Sequence, residues 1–124
     1  MSLQTIATQF VEMCRQGKNF EVMRTMYAPD IVSVEGDGQE TVGRTPVIQK
    51  SERWATINDF HGETVQGPFF SGDGKSGGQF AVYFTLDITR KSTGKRLTLE
   101  EVALYTVNKD DKITREQFFY AGEH

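Results

Sequence analysis

The pattern of apolar and polar positions divides the chain into a helical first part and a β second part. Leu3, Ile6, Ala7, Phe10, Val11 and Cys14 recur at the i, i+3, i+4, i+7 spacing that gathers side chains on one face of a helix. Gly17 is a natural stop, because a positive φ carries no steric penalty without a Cβ. A second, short helix is predicted from Asn19, a good N-cap, with Phe20, Met23 and Tyr27 on its buried side. Ala28-Pro29 ends it, since a proline pushes the residue before it out of the helical region. The β-branched run 31–35 predicts a strand, and Gly36-Asp37-Gly38-Gln39 a turn. Thr45-Pro46 then announces a third helix, running to about Asn58, with Thr45 as N-cap and Pro46 at the first helical position. Its apolar residues, Val47, Ile48, Trp54, Ala55 and Ile57, keep a looser period.

From His61 onward the alternation becomes that of strands. Four are predicted, at about 61–70, 77–90, 97–108 and 112–121. Ser71-Gly72-Asp73-Gly74, Ser92-Thr93-Gly94-Lys95 and Asp110-Asp111 separate them with turn chemistry. The second strand alternates strictly, with Phe80, Val82, Phe84, Leu86 and Ile88 on one face and Gln79, Ala81, Tyr83, Thr85 and Asp87 on the other. Three helices followed by a meander, without repeat or linker, predict one α+β domain over residues 1–124.

Composition narrows the classes of function. Nine Phe residues in 124 bring large buried area and suit a wide, walled interior. The net charge of −3 is spread, and the basic pairs Arg90-Lys91 and Lys95-Arg96 are too short for the concentrated face that nucleic acid requires, so none is expected as a partner. One Cys excludes an internal disulfide, and its place in a helical apolar pattern makes Cys14 a small core residue rather than a nucleophile. No basic segment followed by an apolar run stands at the start and no stretch is long enough for a bilayer, so no membrane contact and a cytoplasmic location are expected. Two His and one Cys without ligand spacing predict no metal site, and no cofactor is expected. Gly74-Lys75-Ser76 echoes the end of a phosphate-binding loop, but Phe69 stands where its first glycine belongs. No nucleophile-elbow motif occurs.

The order of elements resembles the nuclear transport factor 2-like superfamily, and more narrowly its SnoaL-like (polyketide-cyclase-like) domains. The stretches that carry the likeness are FEVMRTMYAPDIVSVE at 20–35, Gly67-Pro68, TGKRLTLEEVALYTV at 93–107 and DKITREQFFY at 111–120. The resemblance implies a cone: a curved antiparallel sheet, capped by three N-terminal helices, around an apolar pocket that takes a small apolar ligand. It also implies a homodimer through the outer sheet face, where Ala81, Tyr83 and Thr85 carry less charge than a solvent-facing strand usually does. The superfamily holds isomerases, cyclases, hydrolases, dehydratases, ring-hydroxylase subunits and non-catalytic carriers, so the likeness alone does not choose among them.

The last two strands carry the candidate chemistry. A two-residue turn at Asp110-Asp111 pairs Lys109 with Lys112, hence Tyr105 with Glu116 and Ala103 with Phe118. Glu101, Ala103, Tyr105, Glu116, Phe118 and Tyr120 then share one face, and Val102, Leu104, Ile113, Arg115, Gln117 and Phe119 lie on the other. The resemblance, which matches a Glu at Glu101 and at Glu116, implies that the first face lines the pocket. Burial and a neighbouring like charge raise a carboxyl pKa, the condition for acid–base work near neutral pH. Tyr105 and Tyr120 are then the donors to a developing enolate oxygen, as ketosteroid isomerase uses a Tyr beside its carboxylate base. The alternative is that both Glu residues pair with Arg or Tyr on adjacent strands and hold the register.

His61, the internal histidine, is a further candidate acid–base residue, or else a surface or capping residue. Family cyclases work with an Asp–His pair; no Asp here matches that role, and Asp87 lies on the face opposite the Phe-rich one. Tyr27, Trp54, Phe80, Phe84 and Phe118 are the expected pocket walls. Three functions stay open: an isomerase, cyclase or hydratase working on an apolar carbonyl compound, a dimeric non-catalytic carrier, and an interaction domain with a filled pocket. The enzyme alone requires a buried carboxylate without a cationic partner.

Overall fold

The computed structural model describes residues 2–70, 77–122 and 124. Helix α1 (Leu3–Arg15) starts at Ser2, whose Oγ accepts from the Thr5 N–H at 3.1 Å. All six residues of its predicted stripe are buried. After the turn at Gly17 (φ 76°), helix α2 (Asn19–Met26) buries Val22, with Phe20 and Met23 half-buried beside it. Tyr27 is not the last residue of this helix. It is already extended and opens strand β1 (Tyr27–Val34), which therefore begins four residues before position 31. Pro29 is exposed at the point where the ladder of β1 shifts, the kind of interruption that tolerates a residue with no N–H.

Strand β2 (Glu40–Val42), which the sequence does not announce, follows, and helix α3 (Arg44–Ile57) is entered through Gly43 at φ 102° rather than through Thr45. Pro46 falls within the first turn, where an N–H has no helical acceptor in any case. Helix α3 passes directly into strand β3 (Asn58–Phe69), and strands β4 (Gly78–Arg90), β5 (Lys95–Val107) and β6 (Ile113–Phe119) complete the chain. The turn at 71–74 and the Gly74-Lys75-Ser76 motif lie outside the described residues.

The sheet runs β2-β1-β6-β5-β4-β3, curved and unclosed. It is mixed rather than wholly antiparallel, because β1 pairs with β6 in parallel. The reason is edge protection: a four-stranded meander leaves the outer side of β6 unpaired, and β1 covers it. Tyr105 faces Glu116 and Ala103 faces Phe118, the pairings the sequence predicts, but through a different turn. Asn108 N donates to Lys112 O, so residues 109–111 form a three-residue loop, with Asp111 left-handed at φ 63°. An unpaired Thr114 then restores the register, since Thr106 faces Arg115 while Val107 faces Ile113. The bulge also turns Ile113 inward, where it is fully buried, whereas the two-residue turn places it outside.

Helix α1 lies across β3 and β4 on the concave side. There Phe10 packs edge-on against Phe80 at 5.4 Å and tilted against Tyr105 at 4.4 Å, and Phe80 stacks on Tyr105 at 5.1 Å. This aromatic triad fills one end of the cone. No helix among the described residues is long and apolar enough to cross a membrane.

Candidate functional site

The other end of the cone is hollow. A cavity of about 640 Å³ opens between the concave sheet, α2 and α3, a size that suits one small organic molecule. Its apolar wall includes Phe20, Tyr27, Trp54, Phe84, Leu86 and Phe118, and Glu35, Glu63, Glu101, Glu116, Lys50 and His124 also reach it.

Glu116 is buried, 2% exposed. The parallel register puts Ser33 of β1 beside it, and Ser33 Oγ donates to Glu116 Oε1 at 2.8 Å. Tyr27, at the start of the same strand, donates its O–H to the other carboxylate oxygen. Burial raises the Glu116 pKa above the usual carboxylate range; the two hydroxyl donors and the Lys50 charge pull the other way without offsetting it. Lys50 does not touch the carboxylate. Its Nζ donates to Ser33 Oγ at 2.7 Å and to Glu35 Oε1 at 2.6 Å, and lies 5.8 Å from the centre of the Phe118 ring. Tyr120 closes this chain of contacts by donating to Glu35 Oε2 at 3.1 Å.

Glu101 lies at the far end of this chain of contacts, reached through Tyr120 and His124. The expectation that it and Glu116 repel one another does not hold: Glu101 stands four residues along β5 from Tyr105, the cross-strand partner of Glu116, a backbone separation of about 13 Å at roughly 3.3 Å per residue. The carboxylate that raises the Glu116 pKa is Glu35 instead. Glu101 Oε2 lies 2.6 Å from His124 Nε2, and the imidazole stacks on Tyr120 with centroids 3.7 Å apart. Glu63 of β3 also lines the cavity; burial raises its pKa first, Glu101 adds to that, and a hydrogen bond from Asn19 opposes both. Burial likewise pushes the Cys14 thiol up to about 12, so it stays a protonated, apolar group in the wall.

The expected residues therefore divide. Glu101, Glu116, Tyr105, Tyr120, Tyr27, Trp54, Phe84 and Phe118 all reach the cavity. Phe80 does not: the Phe10–Tyr105 pair covers it, and it is core. His61 does not either, being exposed with its Nε2 2.7 Å from Thr89 Oγ1. Asp87 lies outside as expected, and Arg96 holds its carboxyl below the usual range. Tyr27 contributes more than wall, since its hydroxyl is the partner of Glu116. Ser33, Glu35, Lys50, Glu63 and His124 were not foreseen. One signal was available for Lys50: positions 47, 50, 51 and 54 form one stripe of α3, and a lysine on the stripe that carries Val47 and Trp54 is unusual. Glu63, Glu35 and His124 had none, because nothing local says which side of the sheet they meet. Among the described residues, no three of His, Cys, Asp and Glu are grouped so that they could hold a metal ion.

A helix-capped, curved mixed sheet with acidic and hydroxyl groups inside its concave face defines a nuclear transport factor 2-like protein. More narrowly, the chain belongs to the SnoaL-like family, whose domain pattern matches residues 1–120. A solved structure from Mesorhizobium loti, described as a suspected SnoaL-like polyketide cyclase, is 39% identical, with 97% of this chain and 100% of that one covered and a TM-score of 0.87. Two more distant structures show the same fold. A Mycobacterium tuberculosis protein solved with estradiol-17β-hemisuccinate is 22% identical over 98% of this chain and 95% of that one, with a TM-score of 0.73. A computationally designed 17-OHP binder is 20% identical over 98% and 95%, with a TM-score of 0.71. No curated protein sequence matches the chain.

Proposed function

We propose that residues 1–124 act as one SnoaL-like domain that binds a small apolar, carbonyl-bearing compound and moves a proton on it. The observation that carries this reading is Glu116: buried, on the cavity wall, and held by two hydroxyls with no cation in direct contact among the described residues. A carboxylate so placed is a stronger base than one in water, because the apolar surroundings disfavour its charge. On a ketone it takes the proton α to the carbonyl. The C–H electron pair becomes the C–C double bond, and the carbonyl electrons move to oxygen. Tyr105, paired opposite Glu116 on β5, is the nearest sheet neighbour with a hydroxyl to offer that oxygen. Tyr27 and Ser33 orient the base, and Lys50 supplies positive charge one hydroxyl away. That the designed relative takes 17-OHP and the mycobacterial one estradiol-17β-hemisuccinate supports a cavity for apolar compounds with oxygen functions.

The test uses 5-nitrobenzisoxazole, an apolar reporter of a base in an apolar site. Removal of its ring C–H proton sends the electron pair into a nitrile and breaks the N–O bond, releasing a coloured phenolate. Ring opening above the buffer rate, lost in Glu116→Gln by about 10²-fold or more, is the expected result. A rate no higher than buffer overturns the enzyme reading and leaves the carrier.

We propose further that two copies associate through the convex face of the sheet. Gln66, Tyr83, Val102 and Phe119 form one cross-strand row there. Val102, Phe119 and Phe69 are 38%, 49% and 57% exposed, an apolar surface continuous enough to be covered.

A further inference from the structure

The cavity has a second polar end that the proton-transfer reading leaves idle. Position 124 lies beyond residue 120, where the family pattern ends, yet His124 turns into the cavity and stacks on Tyr120. Its Nε2 meets Glu101 at 2.6 Å, and the two side chains keep only 13% and 14% of their surface. By the rise of β5, Glu101 lies about 13 Å along the backbone from Tyr105, the cross-strand partner of Glu116. One wall between them is apolar, since Phe84 pairs with Glu101 and Phe118 pairs with Ala103, midway along the strand, while the Glu35–Lys50 ion pair flanks the same stretch from the side of β1. Polar groups thus stand at both ends of an aromatic strip of the cavity wall.

A ligand that is apolar at the His124 end would bury an imidazole and a carboxylate, and strip water from their remaining lone pairs and N–H without replacing it. One carrying oxygen there replaces that water. The carboxylate accepts, and with Nε2 engaged by Glu101 the imidazole offers its other ring nitrogen, an acceptor when neutral and a donor when protonated, so a hydroxyl is served in either state and a carbonyl in the protonated one. A carboxylate is not, because Glu63 faces this end beside Glu101. Resting on the proton-transfer reading for the Glu116 end, we propose that the ligand is elongated and two-ended: a neutral oxygen function against Glu116 and Tyr27, an apolar ring system in the middle, and a second neutral oxygen function against Glu101 and His124.

The experiment compares rigid phenols by isothermal titration calorimetry. 2-Naphthol is paired with naphthalene-2,6-diol, and biphenyl-4-ol with biphenyl-4,4'-diol, so that two lengths are sampled and each pair differs by one hydroxyl at the far end. In the unaltered protein at least one diol should bind more than about threefold tighter than its mono-ol, the worth of one modest net hydrogen bond. In His124→Ala that ratio should fall below about threefold; β6 ends at Phe119, so the substitution removes the contacts to Glu101 and Tyr120 but no backbone pairing of a strand. Ratios below threefold for both pairs, diols that do not bind, or a gain that survives His124→Ala would each overturn the proposal. Failure of the proton-transfer reading is a separate result, because it is read as lost ring opening and these ratios involve no reaction.

Discussion

At the scale of the residue, the site turns on how Glu116 is held. A carboxylate whose folded pKa is raised binds protons that the unfolded chain has already released at the same pH. Its contribution to stability is therefore fully present below the unfolded pKa and is lost as pH rises through the interval up to the folded pKa. Glu116→Gln removes that dependence while keeping the shape. We expect the variant to melt higher than the unaltered protein at neutral pH, by on the order of 4 °C, which is about 1 kcal/mol for a chain of this length. The difference should shrink in buffer acidic enough to protonate the carboxyl in both states. Thermal melts across that range decide it. A variant that melts lower at neutral pH would mean that the Tyr27 and Ser33 hydrogen bonds outweigh desolvation, and that Glu116 is a structural residue.

At the scale of the element, β4 divides its inward residues between packing and cavity. Phe80 touches Phe10 and Tyr105 and is 1% exposed, whereas Phe84 stands against the open volume beside Glu101. Phe80→Ala should cost about 3–5 kcal/mol, because dense surroundings cannot collapse into the space it leaves. Phe84→Ala should cost less, since part of its ring already lacks neighbours. Urea unfolding of both variants gives the ranking; equal losses would mean that the cavity is not open at Phe84. The alternation of β4 placed both rings on one face but not in one environment. Along β3, β4 and β5, period two announced the strands, and in α3 the weak period has a cause: its inward stripe carries Lys50 and Ser51 toward the cavity instead of core residues.

At the scale of the molecule, a convex face bearing Tyr83, Val102, Phe119 and Phe69 should not stay in water. Light scattering at micromolar concentration should give twice the chain mass of 14.0 kDa. Val102→Glu with Phe119→Glu should return the monomer, because both residues lie exposed on the proposed contact face and association would bury their charges without partners. A monomer without the substitutions would refute the dimer.

Local physics was enough for α1, for the strands of the meander and for the face that Glu101, Tyr105, Glu116, Phe118 and Tyr120 share, since each depends on spacing within one segment or across one hairpin. Even the β5–β6 register was reached through compensating errors, a loop one residue longer than expected and a bulge at Thr114. The Glu116 site needed contacts that no spacing encodes. Tyr27 and Ser33 reach it because β1 adds in parallel to the last strand, and Lys50 because α3 packs on β1. His124 arrives from beyond the last strand, while His61 points away because its position in β3 falls outside the concave face. Which polar groups end up buried together is decided by strand order and helix placement. Both follow from covering an open edge and an apolar sheet face, requirements that the whole chain meets and no single segment states.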